Sequence, residues 1–128
     1  MIFGIGTDLT HIPRMHDLLE KYDDKIAKRI LSDHEFECFQ KSTQPAAFLA
    51  KRFAAKEAVA KALGTGFRDG LSLRHIEVRN NNLGCPELVF YKVAQNLIEH
   101  FGISKALISL SDEGDYALAF ATLLAGEA

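Results

Sequence analysis

PAAFLAKRFAAKEAVAKALGTG, Pro45 to Gly66, is the stretch that decides how this chain folds. Pro45 suits the first helical position, where its missing N–H would be unpaired in any case, with Thr43 just upstream as a cap. Gly64 falls where a helix needs a left-handed residue to stop. No Gly or Pro interrupts the interval, and alanine, the best helix former, fills it. Advancing about 100° per residue puts Phe48, Ala55 and Val59 on one side and Leu49, Phe53 and Ala60 on another. A helix apolar nearly all round is a buried one. Glu57 and Lys61 are four residues apart and share a face, flanked by Ala50 and Ala54. One account is an ordinary surface pair of little energetic weight. The other is a carboxylate on an alanine strip that a second element or a ligand approaches closely. If buried, such a carboxylate must be paired or bind a metal.

The 128 residues predict a single domain, 1–128, with a real core. An apolar fraction of 48% and a charged fraction of 25% are ordinary for a soluble protein. A net charge of −2 and a pI near 6.2 give no sign of a nucleic-acid binder. Between Ala46 and Leu63, however, Lys51, Arg52, Lys56 and Lys61 stand against Glu57 alone, an excess that suits an anionic partner. Cys38 and Cys85 have no metal or redox spacing and read as reduced thiols of a cytoplasmic protein. No signal peptide is expected, and no apolar run reaches membrane-spanning length.

Ile2 to Leu9, IFGIGTDL, reads as a first strand. Ile2, Gly4, Gly6 and Asp8 share one face; Phe3, Ile5, Thr7 and Leu9 share the other. Glycine inside a strand marks close approach by a ligand or another backbone, or else a softened strand with a solvated Asp at its end. A dinucleotide fingerprint fails, because its third glycine would fall at Leu9. Helices follow over Pro13–Tyr22 and Lys25–Leu31, then one opened by the capping box Ser32-Asp33-His34-Glu35. After the long helix, His75–Arg79 and Pro86–Phe90 form a hairpin around Asn80–Gly84. Val93, Leu97, Ile98 and Phe101 fit a helix stopped by Gly102. Ala106–Ser111 and Tyr116–Leu124 are strands joined at Asp112–Asp115. Ala117, Ala119 and Ala121 form one face of the last strand, predicting close packing against a helix or a second subunit. Irregular alternation with hairpins predicts an α+β fold rather than a doubly wound sheet.

The five histidines form no metal cluster, so zinc is not expected, and no serine sits in a nucleophile elbow. Asp8 and Glu57 remain, with Lys61 one turn beyond. Two carboxylates converging from a strand and a helix suit Mg²⁺, which takes one or two carboxylates with waters and substrate phosphates. Gly64-Thr65-Gly66 is either a plain helix stop or a source of N–H groups for a phosphate.

GIGTDL (Gly4–Leu9) and RFAAKEAVAKALGTG (Arg52–Gly66) together resemble the holo-[acyl-carrier-protein] synthases, the small bacterial family of 4′-phosphopantetheinyl transferases. RILSDHEF (Arg29–Phe36), LSLRHIEV (Leu71–Val78) and SLSDEGDYALA (Ser109–Ala119) extend the similarity over nearly the whole chain. The resemblance implies that family's fold, a small antiparallel sheet packed against a long buried helix plus shorter helices. It implies transfer of 4′-phosphopantetheine from coenzyme A to a serine of apo acyl carrier protein, leaving adenosine 3′,5′-bisphosphate. By the same resemblance Asp8 and Glu57 are magnesium ligands and Lys61 is a phosphate-side lysine. Arg52 and Gly64-Thr65-Gly66 lie near the nucleotide, and Arg14 meets the acidic carrier protein. It also implies a homotrimer with interfacial sites, which the alanine face fits. The base remains open among Asp8, Glu57 and a metal-bound water. His11 stands where the family often has Glu, Asp112 where many members carry His, and Cys85 where Lys is frequent. The alternatives are a non-catalytic trimeric module that binds nucleotide or carrier protein, and a Mg²⁺-dependent phosphohydrolase.

Overall fold

The structure, a computed structural model, describes residues 1–126. In chain order it runs β1 (Ile2–His11), α1 (Ile12–Tyr22), α2 (Asp24–Ile30), α3 (Asp33–Lys41) and α4 (Pro45–Leu63). A 3₁₀ turn (Leu73–His75), the hairpin β2 (Ile76–Asn80) and β3 (Pro86–Phe90), α5 (Lys92–His100), β4 (Ile103–Glu113) and β5 (Tyr116–Ala125) complete it. β1, β5 and β4 form an antiparallel sheet in that order, and β2–β3 form a separate two-stranded sheet. The fold is α+β, as expected. α3 opens on the predicted capping box: the Ser32 hydroxyl accepts from the Glu35 N–H at 3.3 Å, and Glu35 accepts from the Ser32 N–H at 2.9 Å. Two local expectations fail. Gln44, not Thr43, is the residue before α4, and it makes no side-chain cap. His75 ends a 3₁₀ turn rather than starting a strand, its Nδ1 accepting from the Ser72 N–H.

α4 lies across the inner face of the three-stranded sheet with most of its side chains buried. The contact with β1 is backbone against backbone. A Cβ on Gly4 would stand 2.0 Å from the Ala62 carbonyl oxygen, and one on Gly6 would stand 1.9 Å from that of Ala58. Two strand residues rise about 6.6 Å and one helical turn of four residues about 6 Å. Strand and helix therefore step together, Gly4 beside Ala62 and Gly6 beside Ala58. The close approach by another backbone is thus the correct account of these glycines.

Ala117, Ala119 and Ala121 are fully buried in this same interior. That corrects the link drawn between the alanine face and a trimer: small side chains let α4 sit close on the sheet, and no second subunit meets them. The outer face is the uncovered one. Ile5 (58% exposed), Leu9 (61%), Leu107, Leu118 and Phe120 (45%) stand open on it.

A buried polar cluster ties the remaining elements to α4. Lys56 is completely buried, and its ammonium donates to Glu35 Oε1 at 2.6 Å, to the Leu73 carbonyl at 2.9 Å and to the Ile76 carbonyl. Glu35 Oε2 accepts the Val78 N–H at 2.8 Å, and Arg52 Nε approaches the same oxygen at 3.8 Å. Two of the four bases on the long helix therefore face inward on one glutamate. Of the positive excess counted along α4, only Lys51 and Lys61 remain accessible to an anionic partner.

Replacing Gly6 by alanine drives a methyl group into backbone that cannot yield. Overpacking costs typically about 1–3 kcal/mol, and Gly6→Ala is expected at or above the upper end. Urea titration followed by circular dichroism measures it; a change within 0.5 kcal/mol or so, the range of a neutral surface substitution, would contradict the close packing.

Candidate active site

β1 carries Asp8 on its inward face, two residues past Gly6. The stepping of strand against helix brings it level with the turn of α4 that presents Glu57. Asp8 is held at both oxygens. Oδ2 accepts the Thr10 hydroxyl at 2.8 Å, and Oδ1 lies 3.3 Å from the Lys61 ammonium. Lys61 also donates to the Thr7 carbonyl at 2.9 Å. Long helical side chains point back toward the N-terminus, which is how Lys61 reaches down to Asp8. The i,i+4 pair with Glu57 is therefore not the contact Lys61 makes.

Glu57 is half-buried, and its carboxyl titrates above the usual glutamate range. Burial is the main cause, the charge of Asp8 adds to it, and Lys61 opposes both. The charge of Asp8 is thus felt at Glu57, and the Lys61 ammonium stands against Asp8. Glu57 lines a cleft of about 530 Å³ together with Phe53, Phe67, Leu71, Leu73 and Ile30, with Arg29 and Ser72 as its other polar groups.

Two carboxylates with a cation already against one of them fit a hard divalent ion. Among the described residues no group of three or more His, Cys, Asp or Glu is assembled to hold a metal. Carboxylate oxygens are the donors Mg²⁺ takes, completing its shell with waters and substrate phosphates.

The other expected site residues fall elsewhere. Arg52 lies about 140° around α4 from Glu57 and about 180° from Lys61. Its guanidinium stacks 4.5 Å from the Phe48 ring centre and faces Glu35, so the structure does not bring it to the acidic pair. Gly64-Thr65-Gly66 follows Lys61 at the helix end. The Gly64 and Gly66 N–H groups donate to the Lys61 and Ala60 carbonyls at 3.0 and 3.4 Å. These two donors close α4 and are not offered to a phosphate. Arg14 is exposed near the start of α1. His11 stacks near Tyr116, and Asp112 pairs with Lys51 at 3.5 Å.

Sequence reasoning missed Thr10, Glu35 and Lys56. The strand alternation that grouped Gly4, Gly6 and Asp8 also reaches Thr10, so its place beside Asp8 was accessible. No local pattern announces that a lysine on one helix meets a glutamate on another 21 residues earlier.

The sequence model of the 4′-phosphopantetheinyl transferase superfamily matches residues 4–121. The chain belongs to that superfamily. It is 54% identical over 125 residues to the holo-[acyl-carrier-protein] synthase of Nitrosococcus oceani, covering 98% of this chain and 81% of that protein. It is 50% identical over 123 residues to the Nitrosospira multiformis protein of the same name, covering 96% of this chain and 98% of that protein. The crystal structure of the Neisseria meningitidis synthase superposes with a TM-score of 0.92 at 43% identity, over 97% of this chain and 99% of that one. The Bacillus anthracis synthase, solved in complex with CoA (3′,5′-ADP), gives 0.81 at 32% identity, over 98% of this chain and 99% of that one.

Carboxyl ¹³C NMR titration of the metal-free protein should place Glu57 above the ordinary glutamate value. Asp8→Asn should lower it by removing a like charge, and Lys61→Met should raise it by removing an opposite one. Because folding raises this pKa, the folded state binds the extra proton. The associated stability is complete below the ordinary value and is lost as pH rises through the raised one. Glu57→Gln should abolish that part of the pH dependence.

Proposed function

We propose that this chain transfers 4′-phosphopantetheine from coenzyme A to a serine of apo acyl carrier protein and releases adenosine 3′,5′-bisphosphate, so supplying the prosthetic arm for fatty acid biosynthesis. The observation that supports this is Asp8 bound by the Lys61 ammonium across strand and helix, with the charge of Asp8 felt at Glu57 and a cleft opening beside Glu57. Family membership and the similarity to synthases, one of them solved with CoA, support the substrate.

Asp8 and Glu57 would hold Mg²⁺. When bound, the ion offsets the charge of the donor's pyrophosphate as the bond to the departing nucleotide breaks. Thr10 holds one oxygen of Asp8 and so fixes the rotamer in which the carboxylate would meet the ion. Lys61 places a positive charge where the departing phosphate gains a negative one. The proton of the attacking serine passes to Asp8, Glu57 or a water at the ion, the three bases the site offers. The cleft takes the pantetheine arm and keeps bulk water from the phosphorus. Gly64-Thr65-Gly66 lies one turn beyond Lys61 and contacts the nucleotide through Thr65 and its open edge. Arg14 offers a positive charge to the acidic carrier protein. Arg52, turned inward, supports the helix that carries Glu57 rather than the nucleotide.

The exposed outer face of the sheet supports a homotrimer with sites at subunit boundaries. A contiguous apolar patch of this kind marks an interface, and it belongs to the strand that carries Asp8 on its other side. Two exposed free cysteines suit a cytoplasmic location. Among the described residues no helix is long and apolar enough to cross a membrane.

Incubation with coenzyme A, Mg²⁺ and apo acyl carrier protein should add one phosphopantetheine to the carrier's intact mass. Chelator should prevent it, and Asp8→Asn or Glu57→Gln should slow it by on the order of a hundredfold or more. Full turnover in either variant would refute the assignment. Metal-dependent coenzyme A binding without adenosine bisphosphate release would indicate a binding module, and free phosphopantetheine a hydrolase.

Sedimentation equilibrium should give three times the chain mass for the wild type and a smaller species for Phe120→Asp, with the far-ultraviolet spectrum kept. A monomeric wild type that retains full turnover would exclude the interfacial arrangement.

A further inference from the structure

We propose that Lys61 is a displaceable counter-cation: its ammonium occupies Asp8 until a divalent ion takes that oxygen, and it is then released toward the donor's phosphate. The inference rests on the function proposed above and gives one residue two successive positions.

The contacts define the first position. The Lys61 ammonium stands 3.3 Å from Asp8 Oδ1 and 2.9 Å from the Thr7 carbonyl. Asp8 cannot turn its other oxygen inward at no cost, because Oδ2 is held by the hydroxyl of Thr10, itself buried. The carboxylate is thus pinned on one side and covered by an ammonium on the other. Asp8 is mostly enclosed at 16% exposure, whereas Lys61 is 55% exposed. The anion is fixed and its partner is free to move.

Asp8 and Glu57 would hold a divalent ion, and on Asp8 the oxygen not already bonded to Thr10 is the one the ammonium covers. Two cations on one carboxylate oxygen would repel, and the exposed ammonium, on a flexible stem, is the one able to move away. The Glu57 carboxyl gains from the exchange as well, since a doubly charged ion offsets the crowding of two acids better than one ammonium. Lys61 remains anchored to the last turn of α4, and its reach keeps it beside the same site. Ion entry and delivery of the phosphate-side charge become one event. With the ion absent, the ammonium neutralises Asp8; with it present, the ammonium faces the anionic donor.

Two measurements test this. Mn²⁺ binding is followed by the electron paramagnetic resonance of the free ion, in wild type, Lys61→Met and Glu57→Gln. Separately, the ¹⁵Nζ resonance of Lys61, assigned by its loss in Lys61→Met, is followed in the wild type during Mg²⁺ titration. Lys61→Met should bind Mn²⁺ about tenfold more tightly, the effect of removing one cation at this distance, while transferring phosphopantetheine more slowly. The wild-type Nζ resonance should move in proportion to site occupancy. Equal or weaker Mn²⁺ binding in Lys61→Met overturns the proposal. So does tighter binding with an unmoved Nζ resonance, which would mean simple repulsion from a stationary lysine. Mn²⁺ binding that Glu57→Gln leaves intact would remove the metal site itself, a failure of the proposed function that takes this proposal with it.

Discussion

The whole molecule depends on how closely α4 can lie on β1. Carbonyl oxygens of Ala58 and Ala62 occupy the space that side chains would fill at Gly6 and Gly4. Glycine on the strand and alanine on the helix are therefore two halves of one requirement. With them met, the strand's rise per two residues matches the helix's rise per turn, and the contact repeats instead of diverging. Asp8 is the next inward residue after the second glycine, and Glu57 and Lys61 lie on the helix beside it. The packing that stabilises the core is the same packing that sets two carboxylates and an ammonium against each other.

Such a contact fixes the distance from helix to sheet but leaves α4 free to slide or rotate. The cluster around Lys56 removes that freedom. Its ammonium is shared among Glu35 on α3, a carbonyl of the 3₁₀ turn and a carbonyl at the start of β2. A buried ion pair is weak support for overall stability, because desolvation offsets its attraction. Removing one partner is costly, however, since a buried charge is then left uncompensated. Its contribution here is geometric. Leu71 and Leu73 wall the cleft beside Glu57, and the carbonyl of Leu73 is one of the three that Lys56 holds. The residue next to Glu57 in the chain thus sets the far wall of the cavity into which Glu57 faces.

What was legible from residues alone follows the range of the interactions. The limits of α4, the capping box of α3 and the alternation of β1 and β5 are written within a few positions, and all appear in the structure. That Asp8 lies on the strand face turned toward the helix carrying Glu57 was legible too, because it follows from the alternation of β1 beside a buried helix. The alanine face of β5 was ambiguous for a physical reason: small side chains permit close approach equally to a helix or to another chain. Arg52 and Lys56 looked like surface charge, since the acid that internalises them, Glu35, lies on a different helix. Gly64-Thr65-Gly66 carried donors that seemed free until the helix end was seen to use two of them.

β1 also explains why the exposed sheet face and the site cannot vary independently. Between Gly4 and Thr10 its inward positions are Gly4, Gly6, Asp8 and Thr10 and its outward ones Ile5, Thr7 and Leu9. A slip of one residue in pairing with β5 would exchange the faces. Ile5 would then be driven into the carbonyls of α4 and Asp8 turned away from Glu57, while glycines replaced the apolar outer patch. Neither face tolerates the exchange, because one has no room for a side chain and the other offers little but side chains. The register is thus specified twice, by steric exclusion inside and by apolar surface outside. A substitution on the outer face that alters pairing would be felt at Asp8 with no contact to the site. The acidic pair is positioned by the whole sheet, and the ten residues of β1 are where core, site and exposed surface are fixed together.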